Sequence, residues 1–202
     1  MPDFDPKARD ALVLGSPPRI APLKPDEMGK EAADGAMALR KAATGVVSSE
    51  ITEFTATALK HPALYQRHTA LAMQLYRGLI PPRDRELAIL RVGWLSQAPY
   101  EWGQHVEIGK QVGLTAQEIE RVTLGSAAPG WNEHDRTILR AVEELLTGAM
   151  IGEETWTALA RIFDEPQLIE FPVLIGQYVG IAYLQNSLRM RLVPGLKGLG
   201  AR

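Results

Sequence analysis

The stretch RDRELAILRVGWLSQAPYEWGQH, residues 83–105, decides how this chain is read. Within ELAILRVGWL, residues 86–95, every position is apolar except Glu86 and Arg91, which suits a helix enclosed by protein on most sides. Pro99 suits the first turn of a second helix, where Glu101 and His105 stand four apart and share a face. Three proton-handling side chains thus crowd the most apolar part of the sequence. A carboxyl at the edge of such a helix is poorly solvated, which raises its pKa and makes Glu86 a candidate proton carrier. The alternative is a first-turn acid stabilised by the helix dipole and paired with Arg83 or Arg85. Glu101 beside His105 would hold the ring in one orientation for proton transfer, or form a surface ion pair of little energetic weight.

Outward from this stretch, three- and four-residue apolar spacing predicts helices over roughly 26–43, 49–60, 62–78, 83–97, 100–113, 116–124, 133–148, 153–163 and 166–191. Thr115 and Glu118 fit a capping box, with Gly113 closing the helix before it and Leu114 and Ile119 packing across the junction. Asn132 supplies a capping oxygen to the following helix, and Glu133 and Asp135 favour the positive end of its dipole. No strand alternation is evident, so the fold class is all-α. Six prolines in the first 25 residues (Pro2, Pro6, Pro17, Pro18, Pro22, Pro25) predict an extended arm over 1–25, ahead of a single helical domain over 26–202. DRELAILR at 84–91 and DRTILR at 135–140 form a faint echo, which two acid-led helix starts explain as well as a duplication does.

Composition narrows the function classes. The 202 residues contain no cysteine, which removes disulfides, thiolate metal sites and thiol redox chemistry and leaves oxygen and nitrogen groups to do any work. A net charge of -2 without a polybasic block disfavours nucleic acid or an anionic membrane as partner. The first residues lack the pattern of a signal peptide, and no stretch approaches the roughly 20 apolar residues of a membrane span, so a cytoplasmic protein is expected. Glu86, Glu101 and His105 could form a nitrogen and oxygen ligand set. The four histidines, at 61, 68, 105 and 134, nevertheless form no HExxH pattern, and no metal is expected. Glycine-rich phosphate loops and G-x-S-x-G elbows are missing too, so no cofactor and no serine nucleophile are expected.

The stretch resembles the carboxymuconolactone decarboxylase family, which shares its fold with alkylhydroperoxidase D proteins. In that family a Glu on one helix is followed twelve residues later by Cys-x-x-Cys-x-x-x-His. Counted from Glu86, those positions hold Ala98, Glu101 and His105, so the Glu and the His are in register and both cysteines are replaced. LKHPALY (59–65), PPRDRELAILRV (81–92), GLTAQEIERV (113–122) and GQYVGIAYLQNSL (176–188) are similar to segments of the longer members. The resemblance covers about residues 45–190. It implies an alkylhydroperoxidase D-like helical bundle and a homo-oligomer, trimer or hexamer. It also implies either a lyase acting on a small carboxylated lactone or a scaffold that binds ligands without catalysis. Thiol peroxidase turnover is disfavoured without cysteines. On the lyase reading His105 donates a proton, Glu101 orients it and Glu86 serves as a second acid or base. Arg91 is then the candidate for the substrate carboxylate, with Arg85 or an arginine from a neighbouring subunit as substitute. Tyr100, Trp102 and Asn186, together with Gln177 and Tyr178, are candidates to line the pocket; core packing is the other role open to the two aromatics at 100 and 102.

Overall fold

The computed structural model describes residues 4–29, 34, 35, 37 and 51–202, and among these every regular element is a helix. In chain order they are α1 (Pro6–Leu14), α2 (Glu53–Ala58), α3 (Pro62–Tyr76), α4 (Pro82–Leu95), α5 (Pro99–Gln111), α6 (Ala116–Leu124), α7 (Glu133–Gly148), α8 (Glu153–Leu159) and α9 (Glu165–Leu188). From α3 onward these agree with the predicted helices, apart from shorter ends. Most of the helix expected over 26–43 lies outside the described residues; of those described, 26 and 27 belong to a turn over 25–27, and 34, 35 and 37 are helical.

The local signals act as the sequence suggests. Thr115 Oγ1 accepts from Glu118 N, while the Glu118 carboxylate accepts from Thr115 N at 2.8 Å, completing the box that opens α6. Asn132 Oδ1 accepts from Asp135 N at 2.8 Å and caps α7. Such caps contribute about 1 kcal/mol each by satisfying amides that the helix leaves unpaired. His61 caps the helix that follows it, its Nδ1 accepting from Leu64 N.

The N-terminal arm is not wholly extended, as its prolines had suggested. Asp5 accepts from Lys7 N, and Pro6 occupies the first turn, where a missing N–H costs nothing, so α1 forms. It also lies against the bundle. Phe4 packs on Trp94, Arg9 Nε donates to Gln97 O at 2.9 Å, and Arg19 N donates to Leu188 O at 3.0 Å.

Helix α4 is the axis of the bundle. Asp84 to Gly93 are buried without interruption, and α5, α6, α7 and α9 pack around them. After α4 the chain reverses in three residues. Gln97 takes a left-handed conformation (φ 50°), and Ala98 N donates to Gly93 O at 2.9 Å before Pro99 starts α5. The short link makes α5 an antiparallel neighbour of α4, so side chains equally distant from the reversal face each other. On another flank, Glu170 Oε1 accepts from Leu79 N and Ile80 N, and Asn186 Nδ2 donates to Ser96 O at 3.0 Å. These two ties set α9 alongside α4 in the same direction.

Helix α9 departs from expectation in one respect. Its 24 residues are long and apolar enough to cross a membrane by length and composition, yet only 28% of its most apolar window is buried. Leu168, Phe171, Leu174, Ile175, Tyr178 and Ala182 face the core, whereas Ile169 (71%) and Tyr183 (66%) lie in the open. The polar side chains Glu170 and Asn186 tie this helix to α4 and its flanks, as an element of a helical bundle.

Candidate active site

The α4–α5 reversal brings Glu86 and His105 together. Glu86 is 0% exposed and His105 8%, and Glu86 Oε2 lies 2.6 Å from His105 Nδ1. The other carboxylate oxygen, Oε1, accepts from Arg85 Nε at 3.1 Å. Arg85 is buried as well. Its Nη1 donates to Tyr76 O at 2.6 Å, and its guanidinium carbon sits 4.4 Å above the centre of the Tyr76 ring. Across from the imidazole, Tyr178 of α9 meets the His105 ring edge-on, with centroids 5.0 Å apart. Burial, and after it the nearby Glu86 carboxylate, pushes the Tyr178 phenol far above its usual range. It therefore stays neutral and serves as a wall of the site rather than as a base.

Glu101 occupies the same interior, one turn before His105, but differs in its surroundings. It is 2% exposed, and neither carboxyl oxygen has a hydrogen-bond partner. It lies against Gly93, where a Cβ would come within 3.5 Å of Oε1. Glu101 therefore does not orient His105 as the four-residue spacing suggested; Glu86 does. Spacing along one helix shows only that two groups share a face, and the shorter contact comes from the neighbouring helix.

Five of the other expected site residues have partners of their own. Arg91 is turned about 140° from Glu86 around α4 by the helical repeat. It binds Glu143 (2.9 Å) and donates to Val122 O (2.8 Å) and Thr123 O (3.2 Å), holding α6 and α7 to α4. Replacing it with Ala is expected to cost ~1.5–3 kcal/mol of stability, as for hydrogen bonds to charged groups. Urea unfolding checks this, with substrate KM unchanged as the second readout. Trp102 is wholly buried, donates Nε1–H to Ala201 O at 3.1 Å and packs on Trp94. Asn186 braces the end of α4 through Ser96 O. Tyr100 lies against Phe54 of α2, with centroids 6.3 Å apart, and Gln177 bonds His68 of α3.

Tyr76 and Gly93 belong to the site without having been expected there. Gly93 was within reach of the sequence, since it lies seven residues from Glu86 and so on the same face of α4. Tyr76 has no such signal, because only the packing of α3 beside α4 brings it to Arg85. Among the described residues, the one cluster with metal-ligand spacing is Asp84, His134 and Asp135, away from this site. Asp135 there is held by Arg83 through both oxygens, at 2.8 and 3.0 Å.

Residues 62–144, from α3 into α7, match the carboxymuconolactone decarboxylase family. No curated protein is significantly similar in sequence. Several solved structures share the fold. A peroxidase-related protein from Ralstonia eutropha with an alkylhydroperoxidase AhpD core is 14% identical, with 89% of this chain and 94% of that one covered and a TM-score of 0.72. The debrominase Bmp8 in complex with 2,3,4-tribromopyrrole is 15% identical, with coverage of 87% and 92% and a TM-score of 0.71. A peroxidase-related protein from Silicibacter is 14% identical, with coverage of 89% and 95% and a TM-score of 0.68. At such identities the likeness establishes the fold alone.

Proposed function

We propose, from the match of residues 62–144 to the carboxymuconolactone decarboxylase family, that the chain is a cofactor-independent carboxy-lyase for a small carboxylated lactone or ring compound. The observation that carries this reading is the buried contact of 2.6 Å between Glu86 Oε2 and His105 Nδ1. With the Nδ1 proton directed at Glu86, the imidazole is held in one tautomer and Nε2 is the atom left to exchange a proton with a ligand. Arg85 is the cation of the site in place of Arg91; with Nε on Glu86 and Nη1 on Tyr76 O, its Nη2 is the donor for the substrate carboxylate. Loss of CO2 requires that the carboxylate be poorly solvated and that a proton reach carbon afterwards, and a buried Glu–His–Arg cluster beside Tyr178 supplies that setting.

The test is to supply carboxymuconolactone and related vinylogous acids to the purified protein and follow CO2 release and ring absorbance. Turnover supports the lyase. Binding without turnover would favour a ligand-binding scaffold. Peroxide consumption with a thiol reductant would overturn the reading in favour of peroxidase chemistry, against which the absence of cysteine from these 202 residues argues.

The protein also acts as a homo-oligomer, trimer or hexamer, on this proposal. The outer face of α9 supports it. Ile169, Val173 and Tyr183 are exposed, and Gly176 and Gly180 have open space before them, which lets another helix approach closely. An apolar helix face left in water is unfavourable, and covering it with a second copy removes that cost. Ile169→Glu with Val173→Glu is expected to reduce the particle mass by light scattering to that of a monomer, with helical circular dichroism retained. A wild-type protein that is already monomeric would refute the assembly.

A further inference from the structure

Glu86 and Glu101 are two carboxyls in one interior with opposite surroundings. Glu86 is met by Arg85 at one oxygen and by His105 at the other. Glu101 has no donor at either oxygen. From α4 it faces the bare surface of Gly93, with Arg85 and Glu86 further back on that helix. Its own helix contributes His105 one turn on, and α9 contributes Tyr178. Arg85, the cation of this cluster, is engaged with Glu86 and with Tyr76 O. An unpaired carboxylate buried in this way is costly, and a carboxyl so placed keeps its proton instead. Burial alone holds the Glu101 carboxyl well above the usual carboxylate range. Two acids whose surroundings separate them in this way divide the roles of acid and base between them.

We propose that Glu101 rests as a neutral carboxylic acid and is the proton donor of the site, acting beside the Glu86–His105 pair on a carboxylate substrate. The substrate is that of the lyase reading and rests on it; the resting state of Glu101 does not. In the step, the bond from carbon to the carboxylate breaks and CO2 leaves. The electron pair passes into the conjugated carbonyl, and a C–H bond then forms at carbon as the Glu101 O–H bond breaks. Glu101 regains a proton from solvent by way of His105, the least deeply buried of the three groups, so the net change is one proton taken up and one CO2 released.

Glu101→Gln keeps the shape of the neutral acid and cannot release its proton. The infrared difference spectrum of wild type minus Glu101→Gln at pH 7 is expected to show a protonated carboxyl C=O band, and a carboxylate band there would overturn the proposal. A carboxyl 13C NMR titration of Glu-labelled wild type reads the same state without a variant. Stability gives an independent sign. With the folded pKa raised above the ordinary 4.5, the folded state holds a proton that the unfolded chain releases. Wild-type stability therefore falls as pH rises above that value, until the folded pKa is passed. Glu101→Gln is expected to lose this slope, so its urea midpoint exceeds the wild type's at pH 8 by more than at pH 4. Parallel pH profiles would overturn the proposal. In turnover of carboxymuconolactone, Glu101→Gln is expected to lower kcat about 10²–10⁴-fold with KM little changed. A neutral Glu101 with undiminished kcat in the variant would overturn the donor role. A wild type that releases no CO2 overturns the lyase reading and the donor role with it, while the infrared and NMR measurements still decide the resting state.

Discussion

Glu86→Gln is expected to slow CO2 release from a lactone acid about 10²–10⁴-fold, with little change in KM. The carboxylate of Glu86 accepts from His105 Nδ1, which fixes the tautomer and leaves Nε2 free for the ligand. An amide at this position can turn its NH2 toward Nδ1, which moves the ring proton to Nε2 and inverts the role of the imidazole. The variant also removes the negative charge that faces Arg85, a guanidinium only 4% exposed. Urea unfolding of the variant therefore accompanies the kinetics, so that loss of fold and loss of proton transfer are told apart. His105→Ala is expected to fall as far, and the double variant no further than either single one, because the two groups act as one unit. A Glu86→Gln enzyme that turns over at the wild-type rate would remove the pair from the chemistry.

The largest expected effect on stability comes from Trp102→Ala, ~3–5 kcal/mol for emptying a core aromatic site. Trp102 is fully buried beside Trp94, its indole N–H is bonded to Ala201 O, and Arg202 lies 5.5 Å from its ring centre. The segment around residues 197–202 packs here because Gly103 presents no side chain. A Cβ on Gly103 would come within 2.1 Å of Lys197 O. Removing the indole leaves a cavity beneath that segment and takes from Ala201 O one of its two donors, the other being Arg202 Nη1. Urea or thermal unfolding measures the loss. Had Trp102 lined a substrate pocket, the same substitution would raise KM with stability little changed, and that outcome would return Trp102 to the site.

Much of the helical architecture was legible because its signals are local. The capping box at Thr115 and Glu118, the Asn132 cap and Pro99 at the start of α5 each depend on a few adjacent residues. The α1 helix escaped notice for a related reason. Six prolines weighed against helix over 25 residues, while one of them, Pro6 behind Asp5, sits where a proline assists a helix start. The site was only partly legible. Glu86, Glu101 and His105 were singled out because charge in an apolar run is conspicuous; pairing of Glu86 with Arg85 was among the readings, whereas its contact with His105 was not. Arg91 and Trp102 looked equally suited to a pocket and prove to brace α6, α7 and the final segment.

By itself, then, the sequence determined the all-helical class, most helix positions from α3 onward, the lack of sulfur chemistry and the three polar groups set in an apolar stretch. These follow from propensity, caps and the 3.6-residue period, all of which act within a turn or two. The tertiary structure alone decided that Glu86 rather than Glu101 holds His105, that Arg85 rather than Arg91 is the cation beside them, and that Glu101 is left without a partner. Those outcomes turn on which faces of α3, α4, α5 and α9 meet. Packing between helices sets that, and a rotation of one residue, about 100° around a helix axis, exchanges a site residue for a structural one.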